Sequence, residues 1–238
     1  MVLPIRRLLR KLVRPRAGRS SGRGGSSAGS PERNATRAEA LANLPFIFVI
    51  GFNKTATRSL HSFFTRNGFP SVHWDRGKLA RRMVENCLND RPVLDGYDDR
   101  FRVFSDMQAQ SGRIRIEANQ LFRVLDRDYP GAYFIFNNRD LDAWIRSRSA
   151  NFVTPHGATN LELEMRRLNT TDPNEAVLLW TRERQAFEED VRRYFRSHPR
   201  FLEVDITDPE LPQRIARFIG RSMDAGHWRH IRTNRMQL

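Results

Sequence analysis

The sequence is poor in cysteine and has no long apolar run, and each absence excludes a class of protein. Cys87 is the single cysteine, which excludes an intrachain disulfide and a cysteine-based zinc site and fits a reducing compartment. The longest apolar run, residues 44–51, is far shorter than the roughly eighteen residues that indicate a membrane-spanning helix. We therefore expect a cytoplasmic protein without a spanning helix.

Lysine is also scarce, and this affects how the net charge is interpreted. Only three of the 41 basic residues are lysine, and the formal net charge is +14. Such a charge is typical of proteins that bind nucleic acid or another polyanion. An arginine bias of this kind often reflects a GC-rich genome, so we expect no specific nucleic-acid partner. The hydrophobic content of 39%, with 16 Phe, is enough for a core and excludes a chain disordered throughout.

Residues 1–44 form a basic N-terminal arm that differs from the rest of the chain. They hold ten basic residues against two acidic ones, and the Gly/Ser/Arg-rich stretch 16–33 cannot bury enough apolar surface to fold. Arginines interrupt the apolar residues near the N-terminus, which argues against a signal peptide. Two interpretations stay open for residues 1–16: peripheral contact of a basic amphipathic helix with an anionic membrane, or a disordered arm. The folded domain is expected over residues 45–238.

From residue 45 onward, short apolar runs alternate with helical patterns. Such alternation predicts an α/β fold with a parallel sheet covered by helices on both faces. The predicted strands are 46–50, 71–74, 101–104, 132–136 and 201–206. The predicted helices are one that contains 60–64 and closes at 67–68, and those at 79–88, 116–128, 140–148, 174–196 and 215–219. Residues 151–172 are expected to be long and irregular, and to lie on the acceptor side of the site.

The first predicted strand runs into a loop with the composition of a phosphate-binding site. Residues 51–59 read GFNKTATRS, with a lysine, small residues and hydroxyls ahead of a helix N-terminus. Backbone N–H groups and the helix dipole favour an anion there, and Lys54 adds a positive charge. Capping of the helix by Thr57 or Ser59 is the alternative. The loop is not a Walker A motif, because Lys54 comes too early and follows Asn53.

The order of residues in this loop resembles the 5′-phosphosulfate loop of sulfotransferases that use 3′-phosphoadenosine-5′-phosphosulfate (PAPS). The usual form is K-[ST]-G-T-[TR]-[SA]-L, and the matching residues are Lys54, Thr55, Thr57, Arg58, Ser59 and Leu60. Arg58 follows the form seen in glycosaminoglycan 3-O-sulfotransferases. Ala56 departs from the pattern, since this position is normally glycine, and alanine is expected to fit if φ stays below zero.

A second element makes the resemblance more specific. In this family an Arg at a strand end and a Ser eight residues later hold the 3′-phosphate of the cofactor, and here Arg139 follows a predicted strand with Ser147 eight residues on. Trp144 completes an R-D-x-x-x-W pattern similar to that of bacterial members. The resemblance implies a three-layer, P-loop-like sulfotransferase fold over residues 45–238, with Lys54, Thr55, Ala56, Thr57, Arg58, Ser59, Arg139 and Ser147 binding PAPS.

The resemblance also implies the catalytic roles. Lys54 stabilises the bridging oxygen of PAPS, and no metal is required. The base that related enzymes supply as a glutamate falls at Ser71, which cannot serve, so two candidates remain. His73 has a pKa suited to general-base work, and Asp106 follows a predicted strand at the expected edge of the sheet. Asp75 is a weaker third candidate, with a helix N-cap as its alternative role.

We therefore expect a sulfotransferase that moves a sulfuryl group from PAPS to a hydroxyl or amine of an unidentified acceptor. A carbohydrate, a glycolipid and a small molecule all stay open as acceptors. Two other functions also stay open. A P-loop nucleotide or small-molecule kinase would require Mg²⁺, and a non-catalytic protein that binds anionic ligands would depend on the basic arm.

Overall fold

A computed structural model describes residues 39, 41–111, 114–152 and 157–231. Its central sheet has five parallel strands in the order β2-β3-β1-β6-β7, and a separate antiparallel hairpin pairs β4 with β5. The strands are β1 Ile47–Val49, β2 Ser71–His73, β3 Val103–Ser105, β4 Gln108–Ser111, β5 Ile114–Glu117, β6 Tyr133–Asn138 and β7 Phe201–Asp205. The predicted α/β fold with a parallel sheet is confirmed.

Seven α-helices connect or follow these strands within the described residues. They are α1 Thr57–Arg66, α2 Lys78–Leu88, α3 Phe122–Asp128, α4 Leu141–Ser149, α5 Asn160–Leu168, α6 Pro173–Tyr194 and α7 Leu211–Ile219. Short 3-10 helices occupy Asp75–Gly77, Ala118–Leu121 and Ala225–His227. No helix in the described part of the chain is both long and apolar enough to cross a membrane.

The sheet is buried on both faces, which produces three layers. In β1, Phe48 packs into a large core with residues of α2, α3, α4 and α6, whereas Ile47 and Val49 pack into a second core with residues of α1 and α7. All three side chains are fully buried. Because successive strand residues point to opposite faces, an uninterrupted apolar run is what such a central strand requires.

Two sequence predictions about local structure were wrong. The helix predicted over 116–128 begins only at Phe122, because residues 114–117 form β5 and pair with β4. The alternation of Ile114 and Ile116 with polar residues has the period of a strand. The segment 151–172, predicted to be irregular, contains α5, which begins with a capping box between Thr159 and Glu162.

The basic arm lies mostly outside the described residues, as does the predicted membrane contact of residues 1–16. Where the description begins, Leu41 is buried and its carbonyl accepts a hydrogen bond from Arg102 Nε at 2.9 Å. At the other end, the Ile231 N–H donates to Ser59 Oγ at 2.9 Å. Both ends of the described chain therefore pack against the folded domain.

Candidate active site

The β1–α1 loop, residues 50–56, lies at the carboxyl edge of the sheet and is tied to the neighbouring strand β6. Asn137 of β6 accepts a hydrogen bond from the Gly51 N–H at 2.9 Å through Oδ1, and its Nδ2 donates to Thr55 Oγ1 at 2.7 Å. A Cβ on Gly51 would lie 2.1 Å from the Asn137 carbonyl oxygen. Only glycine fits this close approach, so one amide side chain shapes both ends of the loop.

The backbone of the loop is left-handed at two residues that are not glycine. The φ angles are 68° at Lys54 and 60° at Ala56. The condition under which alanine was expected to fit at position 56, a φ below zero, is therefore not met. Left-handed residues between right-handed ones turn successive N–H groups toward one side, an arrangement that binds anions.

The first turn of α1 follows the loop directly, and the first N–H groups of a helix have no partner within the helix. Ala56 is its N-cap residue and makes no side-chain capping bond. The alternative role of Thr57 or Ser59 as the cap does not hold, since both lie inside the helix, where they are buried. The helix N-terminus that follows the loop is thus left without a side-chain cap, which favours an anionic ligand there.

Two side chains of α4, and that of Arg139 directly after β6, hold the other half of the loop. Trp144 Nε1–H donates to the Asn53 carbonyl at 2.9 Å, and Arg148 Nη1 donates to Asn53 Oδ1 at 2.6 Å. Arg139 Nη1 donates to the Lys54 carbonyl at 3.1 Å. The loop is thus preorganised by residues that follow it by about 85 to 95 positions in the chain.

Arg139 combines a loop contact with an unsatisfied donor. Its Nε is buried and has no hydrogen-bond partner among the described residues. Burial and the neighbouring Arg184 and Arg146 lower the pKa of Arg139. Ser147 lies on α4, eight residues further on, and is half-buried. A half-buried guanidinium with an unsatisfied Nε and two arginines nearby indicates a place for an anion, although Asp140 and Asp205 offset part of the positive charge.

Lys54 is the basic residue of the β1–α1 loop, and its charge interacts with Asp106, which follows β3. Its Nζ donates to Asn151 Oδ1 at 3.0 Å. Burial lowers the pKa of Lys54, as do the positive charges of Arg58 and Arg139, while Asp106 opposes this shift. The lysine therefore lies within electrostatic reach of one candidate base and of both predicted binding arginines.

The two candidate bases, His73 and Asp106, are neighbours. His73 Nε2 lies 3.5 Å from Asp106 Oδ2, and their side chains are only 14% and 13% exposed. The other ring nitrogen of His73 lies 3.3 Å from Ser105 Oγ, and the ring stacks on His61 with centroids 5.6 Å apart. The structure thus brings together, at the ends of β2 and β3, two residues that the sequence offered as alternatives.

The environment shifts the pKa values of this pair in opposite directions. Burial, with the positive charges of His61 and Arg58, lowers the pKa of His73 to about 3. Burial and the charge of Glu117 raise the pKa of Asp106 to about 7, against the opposing effect of Lys54, Arg148 and Arg58. At neutral pH the histidine is therefore neutral, and the aspartate is near its midpoint.

Asp75, the third candidate, lies in a different setting. Its Oδ2 accepts a hydrogen bond from the Tyr97 hydroxyl at 2.6 Å. It does not cap α2, whose N-cap is Gly77. Asp75 thus has a tyrosine partner, and its carboxylate is engaged in the turn after β2.

Sequence reasoning missed three residues that shape the site, namely Asn137, Arg148 and Glu117. Asn137 could have been suspected, because it is a polar residue inside an apolar strand directly before the Asn138-Arg139 pair. Glu117 was hidden by the wrong helix prediction over 116–128. For Arg148 the chain offers no local signal, since it is one arginine among many.

The parallel sheet, the β1–α1 loop at its carboxyl edge and the helices on both faces define a three-layer α/β domain of the P-loop-like type. The sulfotransferase domain family matches residues 46–204, so the chain belongs to this family. The matched range includes the loop, β6 and α4, and it confirms the family that the motifs around Lys54 and Arg139 indicated. No curated protein matches the chain.

Proposed function

We propose that this protein transfers a sulfuryl group from PAPS to a hydroxyl or amine of an acceptor. The observation that carries the proposal is the position of Lys54. It lies in a preorganised loop with left-handed backbone at residues 54 and 56, within electrostatic reach of both the half-buried Arg139 and the carboxylate of Asp106. Sulfuryl transfer needs this combination of anion binding, charge stabilisation and a nearby base.

The residues of the candidate site fit PAPS as the sulfuryl donor. The unsatisfied Nε of Arg139 and the uncapped N-terminus of α1 both call for anionic groups. In our proposal Arg139 and Ser147 bind the 3′-phosphate, and the segment Lys54–Ser59 binds the 5′-phosphosulfate. PAPS would supply an activated sulfuryl group on a phosphate that leaves as adenosine 3′,5′-bisphosphate (PAP).

Asp106 is the proposed general base, and His73 is its neighbour, with Nε2 3.5 Å from Asp106 Oδ2. Of two neighbouring groups, the one with the higher pKa is the stronger base, and burial places that of Asp106 at about 7 against about 3 for His73. Asp106 Oδ1 is buried and has no hydrogen-bond partner among the described residues. In our proposal this oxygen takes the proton from the hydroxyl or amine that receives the sulfuryl group. Lys54 stabilises the negative charge that develops on the leaving phosphate.

Calorimetric titration with PAP, 5′-AMP and ATP-Mg²⁺ tests the donor. We expect PAP to bind to the wild type in the micromolar range and more tightly than 5′-AMP, with the preference lost in Arg139→Ala. Arg66→Ala, at the exposed far end of α1, is the matched control for loss of one positive charge and should behave as wild type. Tighter binding of ATP-Mg²⁺ would favour a kinase instead, and no nucleotide binding would refute the donor assignment.

The proposal also covers the cellular location of the enzyme, its domain bounds and the class of its acceptor. We propose a cytoplasmic enzyme with a folded domain over 45–238 and a basic arm over 1–44. Chromatographic detection of PAP released from PAPS, with a panel of carbohydrate, glycolipid and phenolic acceptors, tests turnover. Deletion of residues 1–38, which removes all the basic residues of the arm and keeps the buried Leu41, should leave PAP binding intact, whereas a protein that binds anions through its arm would lose its ligand.

A further inference from the structure

Arg148 carries a positive charge at a buried position, where a charge costs free energy. It is 1% exposed, on α4, and its guanidinium carbon lies 5.2 Å from the ring centroid of Trp144 and 4.9 Å from that of Trp180. Its Nε has no hydrogen-bond partner among the described residues. Burial of an ion costs several kcal/mol, and well-packed apolar side chains often stabilise a fold as well or better. Stability alone therefore gives little reason for an arginine here.

The two terminal nitrogens of Arg148 contact two different parts of the site. Nη1 donates to Asn53 Oδ1 at 2.6 Å, and Asn53 directly precedes Lys54 in the β1–α1 loop. Nη2 donates to Glu117 Oε1 at 2.7 Å, at the end of β5. A planar guanidinium makes both bonds in a fixed fork, which the single ammonium of a lysine cannot reproduce.

Glu117 extends the contact into the helices that follow the site. It lies 4.0 Å from Arg115, whose guanidinium lies 3.8 Å from Glu164 of α5 and pairs with Glu183 of α6. Glu117 is 7% exposed and Glu164 is fully buried. A line of alternating charges thus runs from the β1–α1 loop, through Arg148, to the helices α5 and α6.

We propose that Arg148 is a positioning residue that fixes the β1–α1 loop, and with it Lys54, to Glu117 beside the proposed base. The catalytic role of Arg148 rests on the proposed function. Its contacts with Asn53 and Glu117 do not depend on which acceptor the enzyme uses. Arg148 has two consequences for the site: it orders the loop before a ligand binds, and it balances the charge of Glu117 next to Asp106.

The second consequence gives a readout that a purely structural role would not give. The charged and titratable groups that act on Asp106 are Lys54, Arg58, Arg148, Glu117 and the neighbouring His73. Glu117 raises the pKa of Asp106 and Arg148 lowers it. Removal of the two charges one at a time should therefore move this pKa in opposite directions, whereas nonspecific loosening of the site would not.

The experiment measures the Asp106 carboxyl by NMR across a pH series in protein labelled with ¹³C at aspartate, with Asp106→Asn to assign the signal. We expect the pKa to rise in Arg148→Met and to fall in Glu117→Gln. Arg123→Met, which removes an exposed partner of Asp190, is the matched control and should leave the titration unchanged. Shifts in the same direction, or no shift in either variant, would overturn the proposal.

PAP titration provides the second measurement. Loss of a charge-assisted bond to the loop should weaken PAP binding about tenfold in Arg148→Met and in Arg148→Lys. Glu117→Gln should retain wild-type affinity within about twofold, because the amide oxygen of glutamine still accepts the Arg148 Nη2 bond that anchors the loop. Wild-type affinity in both Arg148 variants would refute the loop-fixing role.

The two measurements also separate this inference from the proposed function. If Arg148→Met does not fold, as near-ultraviolet circular dichroism would show, Arg148→Lys and Glu117→Gln carry the test. If the wild type does not bind PAP, the proposed donor is wrong, while the opposed pKa shifts still decide the link between Arg148, Glu117 and Asp106.

Discussion

Replacement of Ala56 by glycine should stabilise the protein, although glycine normally destabilises. Ala56 has φ 60° and ψ 23°, in the left-handed region. This conformation costs an ordinary residue about 1–2 kcal/mol. Glycine avoids that cost but loses about 0.5–1 kcal/mol more chain entropy on folding. The difference predicts a gain of about 0.5–1 kcal/mol in the free energy of unfolding, which corresponds to a rise of about 1–4 °C in Tm.

Urea denaturation of the wild type and Ala56→Gly measures this gain, with Ala216→Gly as the matched control. Ala216 lies in the middle of α7, away from the loop, so the same substitution there should destabilise by about 1 kcal/mol. The changes in the free energy of unfolding of the two variants should therefore have opposite signs. Calorimetry should also show PAP binding at least as tight as in the wild type, because glycine holds the same loop conformation without strain.

A loss of stability in Ala56→Gly as large as that in Ala216→Gly would refute the reasoning. It would mean that residue 56 does not adopt a left-handed backbone in solution. Unchanged stability with weaker PAP binding would contradict the argument in a different way, since the alanine methyl would then contribute to the loop through packing rather than strain.

Three further predictions address the loop and the base. Gly51→Ala should destabilise the protein by about 3 kcal/mol in urea denaturation, because the new Cβ would lie 2.1 Å from the Asn137 carbonyl oxygen. A cost below about 1 kcal/mol would contradict this close approach. Asn137→Ala should cost about 2–3 kcal/mol and weaken PAP binding, because the bonds to Gly51 and Thr55 are lost together; unchanged calorimetric affinity would show that the loop is ordered without them. Turnover of PAPS should rise with pH through about 7 as Asp106 loses its proton, and Asp106→Asn should abolish that dependence; a wild-type profile in the variant would exclude Asp106 as the base.

The sign of the pH effect on stability follows from the same group. The folded-state pKa of Asp106 is raised to about 7, so between its ordinary value and 7 the folded protein binds more protons than the unfolded chain. Asp106 should therefore reduce stability as pH rises through this window. Loss of the Asp106 proton should thus raise the activity and lower the stability. Such a trade-off is common for buried groups with a chemical role.

Much of the candidate site could be predicted because its residues are local in sequence. A strand, a loop and a helix that follow one another directly place Lys54 at the carboxyl end of β1 whatever the rest of the fold does. The same holds for Arg139, which directly follows β6. In a parallel sheet these strand ends meet at one edge, so the two motifs had to converge once the α/β pattern was recognised.

The sequence by itself thus determined the α/β alternation, the two candidate anion-binding segments and the short choice of candidate bases. Tertiary structure alone decided that His73 and Asp106 form one pair, that Asn137 shapes the loop and that Arg148 joins Asn53 to Glu117. The Asn53–Arg148 bond spans 95 positions in the chain, and neither residue type carries a signal for the other. Contacts of this kind depend on which buried side chains the packed layers bring within about 3 Å, and no local pattern of residues encodes that distance.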